Sequence, residues 1–237
     1  MTDIVLPSEW TEKGYAQFQE MLGSLSDESY KEFNSRIIPD TALAYGIRMP
    51  VIRKIAKQIL KRSDYERYLN LQKSSYHEEV IIEGLVLAGI KCDYPETLAH
   101  MEQFVPKIYN WAINDTVVFK GIKKHTELFI NDVDRFIFSD NPWAQRFGYS
   151  HLMSFFLTNE YIDAVLEKVN AIDSNFYYVQ MMQAWLLATA AAKQREKTLR
   201  YLEHNRLNQT TMKMTVKKMR ESYRISKEDK EFAASLI

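Results

Sequence analysis

The run Asn110-Trp111-Ala112-Ile113-Asn114-Asp115 sets an indole and a carboxylate four residues apart, one turn along one face of a helix. Asp140-Asn141-Pro142-Trp143-Ala144-Gln145-Arg146 opens a second helix and supplies Arg146. Tyr177-Tyr178-Val179-Gln180-Met181-Met182-Gln183-Ala184-Trp185 opens a third and supplies Trp185. A carboxylate stabilises developing positive charge and can position or activate water. Indole faces attract cationic groups, and a guanidinium pairs with phosphate. If the three helices stack side by side, these four groups converge in one groove. Tryptophans at helical spacing are also common core residues, and Asp115 suits an ordinary polar face, so spacing alone leaves both readings open.

A second feature is electrostatic. The chain carries 31 Lys and Arg against 31 Asp and Glu, a net charge of zero, so bulk charge does not announce a nucleic-acid binder. The balance is uneven: residues 193–230 hold twelve basic and five acidic side chains, a local net of +7. Within this segment Lys213, Lys217, Arg220 and Arg224 recur at helical intervals, and Met212, Val216, Met219 and Tyr223 repeat them one position earlier. The pattern predicts a helix with an apolar stripe and a basic stripe. That stripe is either the solvated face of a terminal helix or an edge that contacts phosphates.

Other chemistries lack their signatures. There is no GxGxxG, phosphate-binding loop or HExxH motif, and His77-Glu78-Glu79 has no second histidine at ligand spacing. His77, His100, His125, His151 and His204 are scattered and read as surface or packing residues, so no metal site is expected. Cys92 is the only cysteine, which rules out a disulfide within the chain. The first residues show no basic-then-apolar leader, and no apolar run approaches the roughly 18 residues of a membrane span. A cytoplasmic chain that does not engage membranes is expected.

The elements that would position these residues are helical. Only seven Gly and six Pro occur, sparse for a sheet protein, and no segment alternates with strand period. Apolar spacing predicts helices near 10–22, 27–36, 51–60, 64–71, 75–91, 94–105, 108–122, 125–138, 142–157, 159–169, 175–192, 195–203, 210–222 and 226–236. Asp93 and Asn141 stand where a short polar side chain caps a helix. Tyr76, Trp111, Trp143 and Tyr178 are spaced 35, 32 and 35 residues apart, each at the start of a helix. Periods of this size indicate stacked helix pairs. The expectation is therefore an all-α chain forming a single domain over residues 1–237, a curved α-solenoid with a concave groove.

Five stretches carry a family resemblance: YGIRMPVIRKIAK, IYNWAINDTVVFKGIKKHTELF, SDNPWAQRFGYSHLMSFF, YYVQMMQAWLLATAAAK and KTLRYLEHNRLNQTTMKMTVKKMRESYRISKEDKE. In order and spacing the chain resembles the AlkC/AlkD-like DNA alkylation repair proteins over roughly residues 10–235. The resemblance implies HEAT-like repeats. It also implies the AlkD-type activity, a glycosylase removing positively charged N3- and N7-alkylated purines from double-stranded DNA. It assigns the catalytic carboxylate to Asp115, the flanking indoles to Trp111 and Trp185, and a groove arginine approaching the DNA backbone to Arg146. A monomer that needs no metal and no organic cofactor is expected. Asn110 departs from the family's best-known glycosylases, which carry an aromatic there. Two alternatives stand beside this reading: a non-catalytic HEAT-like module binding DNA structures through its basic stripe, and a protein-interaction scaffold.

Overall fold

The computed structural model describes residues 4–41 and 43–237. Among the described residues every regular element is helical, and none of the helices is long and apolar enough to cross a membrane. The chain divides into two compact units, Met1–Gly121 and Ile122–Ile237.

The first unit contains α1 (Glu12–Ser24), α2 (Glu28–Ile37), α3 (Met49–Leu60), α4 (Tyr65–Asn70), α5 (His77–Gly89), α6 (Tyr94–Phe104) and α7 (Trp111–Thr116). Its centre is α5, which packs against α3, α6 and α7. Ten of its thirteen residues, His77–Gly84, Val86 and Leu87, are buried, as expected of a helix surrounded by others. By contrast α3 buries one stripe, Ile52, Ile55, Ala56 and Ile59, spaced for a single face. At Gly84 its neighbours pack close: a Cβ there would lie 2.4 Å from Phe104 Cε2 and 2.7 Å from Val117 Cγ2.

The second unit contains α8 (Thr126–Asp132), α9 (Asp134–Ile137), α10 (Pro142–Phe155), α11 (Ile162–Val169), α12 (Tyr177–Lys193), α13 (Arg195–Glu203), α14 (Gln209–Glu221) and α15 (Lys227–Ala234). Here α12 lies between α10 and α14, while α13 contacts α11 and α15. Each helix of the first row is followed in sequence by one of the second, which is helix pairing within this unit.

Short polar residues start the helices by accepting otherwise unpaired N–H groups. Asp93 accepts from Glu96 N at 3.0 Å and Asn141 from Trp143 N at 2.9 Å, the two caps read from sequence. The four repeating aromatics also sit at helix starts: Tyr76 immediately precedes α5, Trp111 is the first residue of α7, and Trp143 and Tyr178 are the second residues of α10 and α12.

Two predicted helices differ. The one expected over 108–122 shrinks to the six residues of α7, because Val117 turns extended (φ −94°, ψ 106°). From there burial alternates, Val117 and Phe119 inward and Lys120 outward, before a 3-10 turn at Lys120–Lys124. The helix expected over 125–138 breaks at Val133 into α8 and α9. Its buried face nevertheless continues through Phe129, Val133, Phe136 and Ile137.

Candidate functional site

Trp111 and Asp115 belong to the first unit and Arg146 and Trp185 to the second. Each unit presents its own cleft.

In the first unit, α7 carries the indole and the carboxylate. A six-residue helix is too short to persist without tertiary support. Its cap, Asn110, is fully buried, and Asn110 Oδ1 accepts from Ile113 N at 3.0 Å. The other end of that amide, Nδ2, donates to Nδ1 of buried His77 at 3.3 Å. One helical turn apart, Trp111 and Asp115 are both half-buried and line one cleft of about 320 Å³. Trp111 Nε1 donates to the Ile37 carbonyl at 3.3 Å, tying the indole to the end of α2. Asn114 Nδ2 donates to Asp115 Oδ1 at 2.8 Å, which fixes one carboxylate oxygen.

The facing wall comes from residues 45–49 and α2. Glu78, buried on α5, gathers three backbone donors: Oε2 accepts from Tyr45 N at 2.9 Å, and Oε1 accepts from Gly46 N at 2.7 Å and Ile47 N at 3.1 Å. Gly46 has φ +83°, where a side chain would be strained and would collide with the Asp27 carbonyl. Phe33 and Ile37 stand exposed at the rim, and Arg53 of α3 brings a cation. Behind this wall Glu79 accepts from Tyr15, Gln19 and Tyr45, and the Tyr15 hydroxyl is pushed up to about 12, chiefly by burial. Glu83 is held by Lys107 at 2.7 Å and Lys73 at 3.5 Å. The His77-Glu78-Glu79 run and Glu83 are thus all buried and partnered, and His77 and Glu78 line the cleft itself. Sequence reading assigned this run no such role, because the partners of Glu78 are backbone groups about thirty residues earlier.

In the second unit, Asn141 and Pro142 start α10. Trp143 stacks on Tyr178 with ring centroids 5.2 Å apart. Arg146, one turn on, is 3% exposed and its Nη1 donates to the Tyr178 carbonyl at 2.7 Å. Its guanidinium therefore lies inside the α10–α12 wall. Trp185 is 45% exposed and lines a cleft of about 310 Å³ with Lys218, Glu221 and Arg224. Lys218 pairs with Glu221 at 2.8 Å.

The structure thus brings Arg224 to Trp185. Lys213, Lys217 and Arg220 are exposed on α14 but do not line that cleft. Lys218 takes the place that their register suggested, because Met212, Thr215, Val216 and Met219 turn inward and leave Lys218 on the Trp185 side. The predicted apolar stripe also ends early. Ser222 is extended (φ −79°, ψ 127°), so Tyr223 leaves the stripe for full exposure and Ile225 is buried in its stead. Among the described residues, no group of three or more His, Cys, Asp or Glu could hold a metal ion.

No curated protein matches the chain. A family described as DNA alkylation repair enzyme matches residues 18–219. The match takes in α7, α10, α12 and nearly all of α14, the helices that carry both clefts, and the chain belongs to this DNA alkylation repair family.

Proposed function

We propose that the protein is a monofunctional DNA glycosylase that excises positively charged N3- or N7-alkylated purines from duplex DNA. The observation that supports this most is the first-unit cleft, where Trp111 and Asp115 stand half-buried on one face of a helix anchored from behind.

An alkylated purine of this kind already carries positive charge and departs as a neutral base without a general acid. As the glycosidic bond breaks, both its electrons leave with the base and the sugar acquires oxocarbenium character. Asp115 stabilises that charge from beside C1′ and orients a water for attack there; the water's proton passes to the carboxylate or to solvent. The Trp111 face holds the cationic nucleoside through the ring quadrupole, and Trp185 offers an exposed indole face in the second unit's own cleft. Arg146 serves from inside, holding the first turn of α12 by its Tyr178 carbonyl. Phosphate contact falls to the exposed Lys213, Lys217, Arg220 and Arg224.

The test is release of N3-methyladenine or N7-methylguanine from alkylated duplex DNA by the parent chain and by Asp115→Asn. Release by the parent and its loss in the variant support the reading. Equal release by both removes Asp115 from the reaction. A second reading, a non-catalytic module that holds DNA through its backbone, is favoured by the exposed cations of α14. It predicts salt-sensitive binding with no base released.

A further inference from the structure

We infer that His77 is a positioning residue: as a neutral imidazole it selects the orientation of the Asn110 amide that caps α7, and so sets Trp111 and Asp115 in their cleft. The catalytic consequence rests on the function proposed above; the geometric claim does not.

The Asn110 amide has two ends, each facing one partner. Asn110 is fully buried, so neither end can turn to water. Capping requires Oδ1 to face Ile113 N, which it does at 3.0 Å. Nδ2 must then face His77 Nδ1, 3.3 Å away, and that nitrogen must accept. An imidazole protonated at Nδ1 donates instead. Opposite a donor, the amide is better satisfied with Oδ1 towards the histidine, which would set Nδ2 against Ile113 N–H and leave the helix start uncapped. Whether Nδ1 of one buried ring carries a proton therefore chooses between a capped and an uncapped α7, and the capped state needs the neutral ring with its proton on Nε2.

The neighbours of the ring favour the neutral state. His77 N donates to the Leu43 carbonyl at 2.8 Å, fixing the start of α5. Burial lowers the imidazole pKa below its usual value, opposed by the charge of Glu78. Glu78 itself is occupied by three backbone N–H groups. Tyr109 meets the ring edge-on at 6.5 Å. Tyr45 stacks on the adjacent Tyr76, and Asp115 from α7 and Arg53 from α3 line the same cleft as His77. Protonation thus begins only below the ordinary histidine range, and it loosens α7 when it does.

The experiment uses the full chain without DNA, observing the Trp111 indole N–H and the His77 ring by NMR between neutral pH and pH 4.5. The Trp111 signal is identified by its absence in Trp111→Phe. Expected is a Trp111 shift whose midpoint follows His77 and lies below 6.5. In His77→Gln, whose amide oxygen accepts without titrating, that step vanishes and the neutral-pH signal position is kept. Asn110→Ser, a cap that needs no imidazole, abolishes the step while His77 still titrates. A Trp111 step that persists in both variants, or His77 protonation that leaves Trp111 unmoved, overturns the inference. In a parallel base-release assay, His77→Phe lowers kcat on the order of tenfold with KM unchanged, and His77→Gln restores it. Absence of base release by the parent chain would defeat the proposed function and leave the NMR result standing. Release with no Trp111 step would defeat the positioning role alone.

Discussion

Glu78 Oε1 accepts the backbone N–H groups of Gly46 and Ile47 at 2.7 and 3.1 Å, joining the first turn of α5 to a loop thirty-two residues earlier. A buried carboxylate with three backbone donors is worth most when it is removed, because the donors are then left unpaired away from water. Glu78→Ala is expected to destabilise the chain by about 3 kcal/mol in denaturant unfolding. A loss well under about 1 kcal/mol would mean that water replaces the carboxylate and that the loop is not held by it.

Gly84 tests the packing of the helix that positions α7. An added methyl would press on Phe104 and Val117, both buried. Gly84→Ala should therefore destabilise by about 1–3 kcal/mol despite the better helix propensity of alanine. A more stable variant would show that α5 can move away from α6 and the segment after α7.

Much of this arrangement is legible in the sequence, and the limits have physical causes. Helical periodicity and the caps at Asp93 and Asn141 follow local rules, as does the shared face of Trp111 and Asp115. What is missed depends on distant partners. The helix around Trp111 stops after six residues because Val117 and Phe119 find burial by alternation. Tyr223 continues the apolar register on paper, yet an extended Ser222 hands the buried place to Ile225. Arg146, expected as a groove arginine, is buried with its Nη1 on the Tyr178 carbonyl thirty-two residues away. The Glu78 clamp leaves no sequence signal, since backbone N–H groups look the same at every residue.

Acid should weaken the second unit through His151. Its Nδ1 donates to the Phe147 carbonyl at 2.9 Å, and burial lowers its pKa from 6.5 to about 4. The unfolded chain takes up the proton first, so this contribution is fully present above pH 6.5 and is lost as pH falls towards 4. The shift corresponds to about 3 kcal/mol across that window. Urea unfolding of the parent and of His151→Phe at pH 7 and pH 4.5 should show the parent losing more stability on acidification. Equal losses would exclude His151 as the cause.

The exposed cations of α14, with Arg224 just beyond its end, give a salt-dependence test. Neutralising Lys213, Lys217, Arg220 and Arg224 should weaken DNA binding at low salt. It should also reduce the slope of log affinity against log salt by roughly 3–4 if all four meet phosphates. An unchanged slope would assign them to ordinary solvation.

Single-turnover release of N7-methylguanine from duplex DNA measures the role of the Asp115 carboxylate most directly. The parent chain should release the base, and Asp115→Asn, which keeps the shape, should do so about a hundredfold or more slowly with DNA binding unchanged. Release by Asp115→Asn at the parental rate would contradict the account.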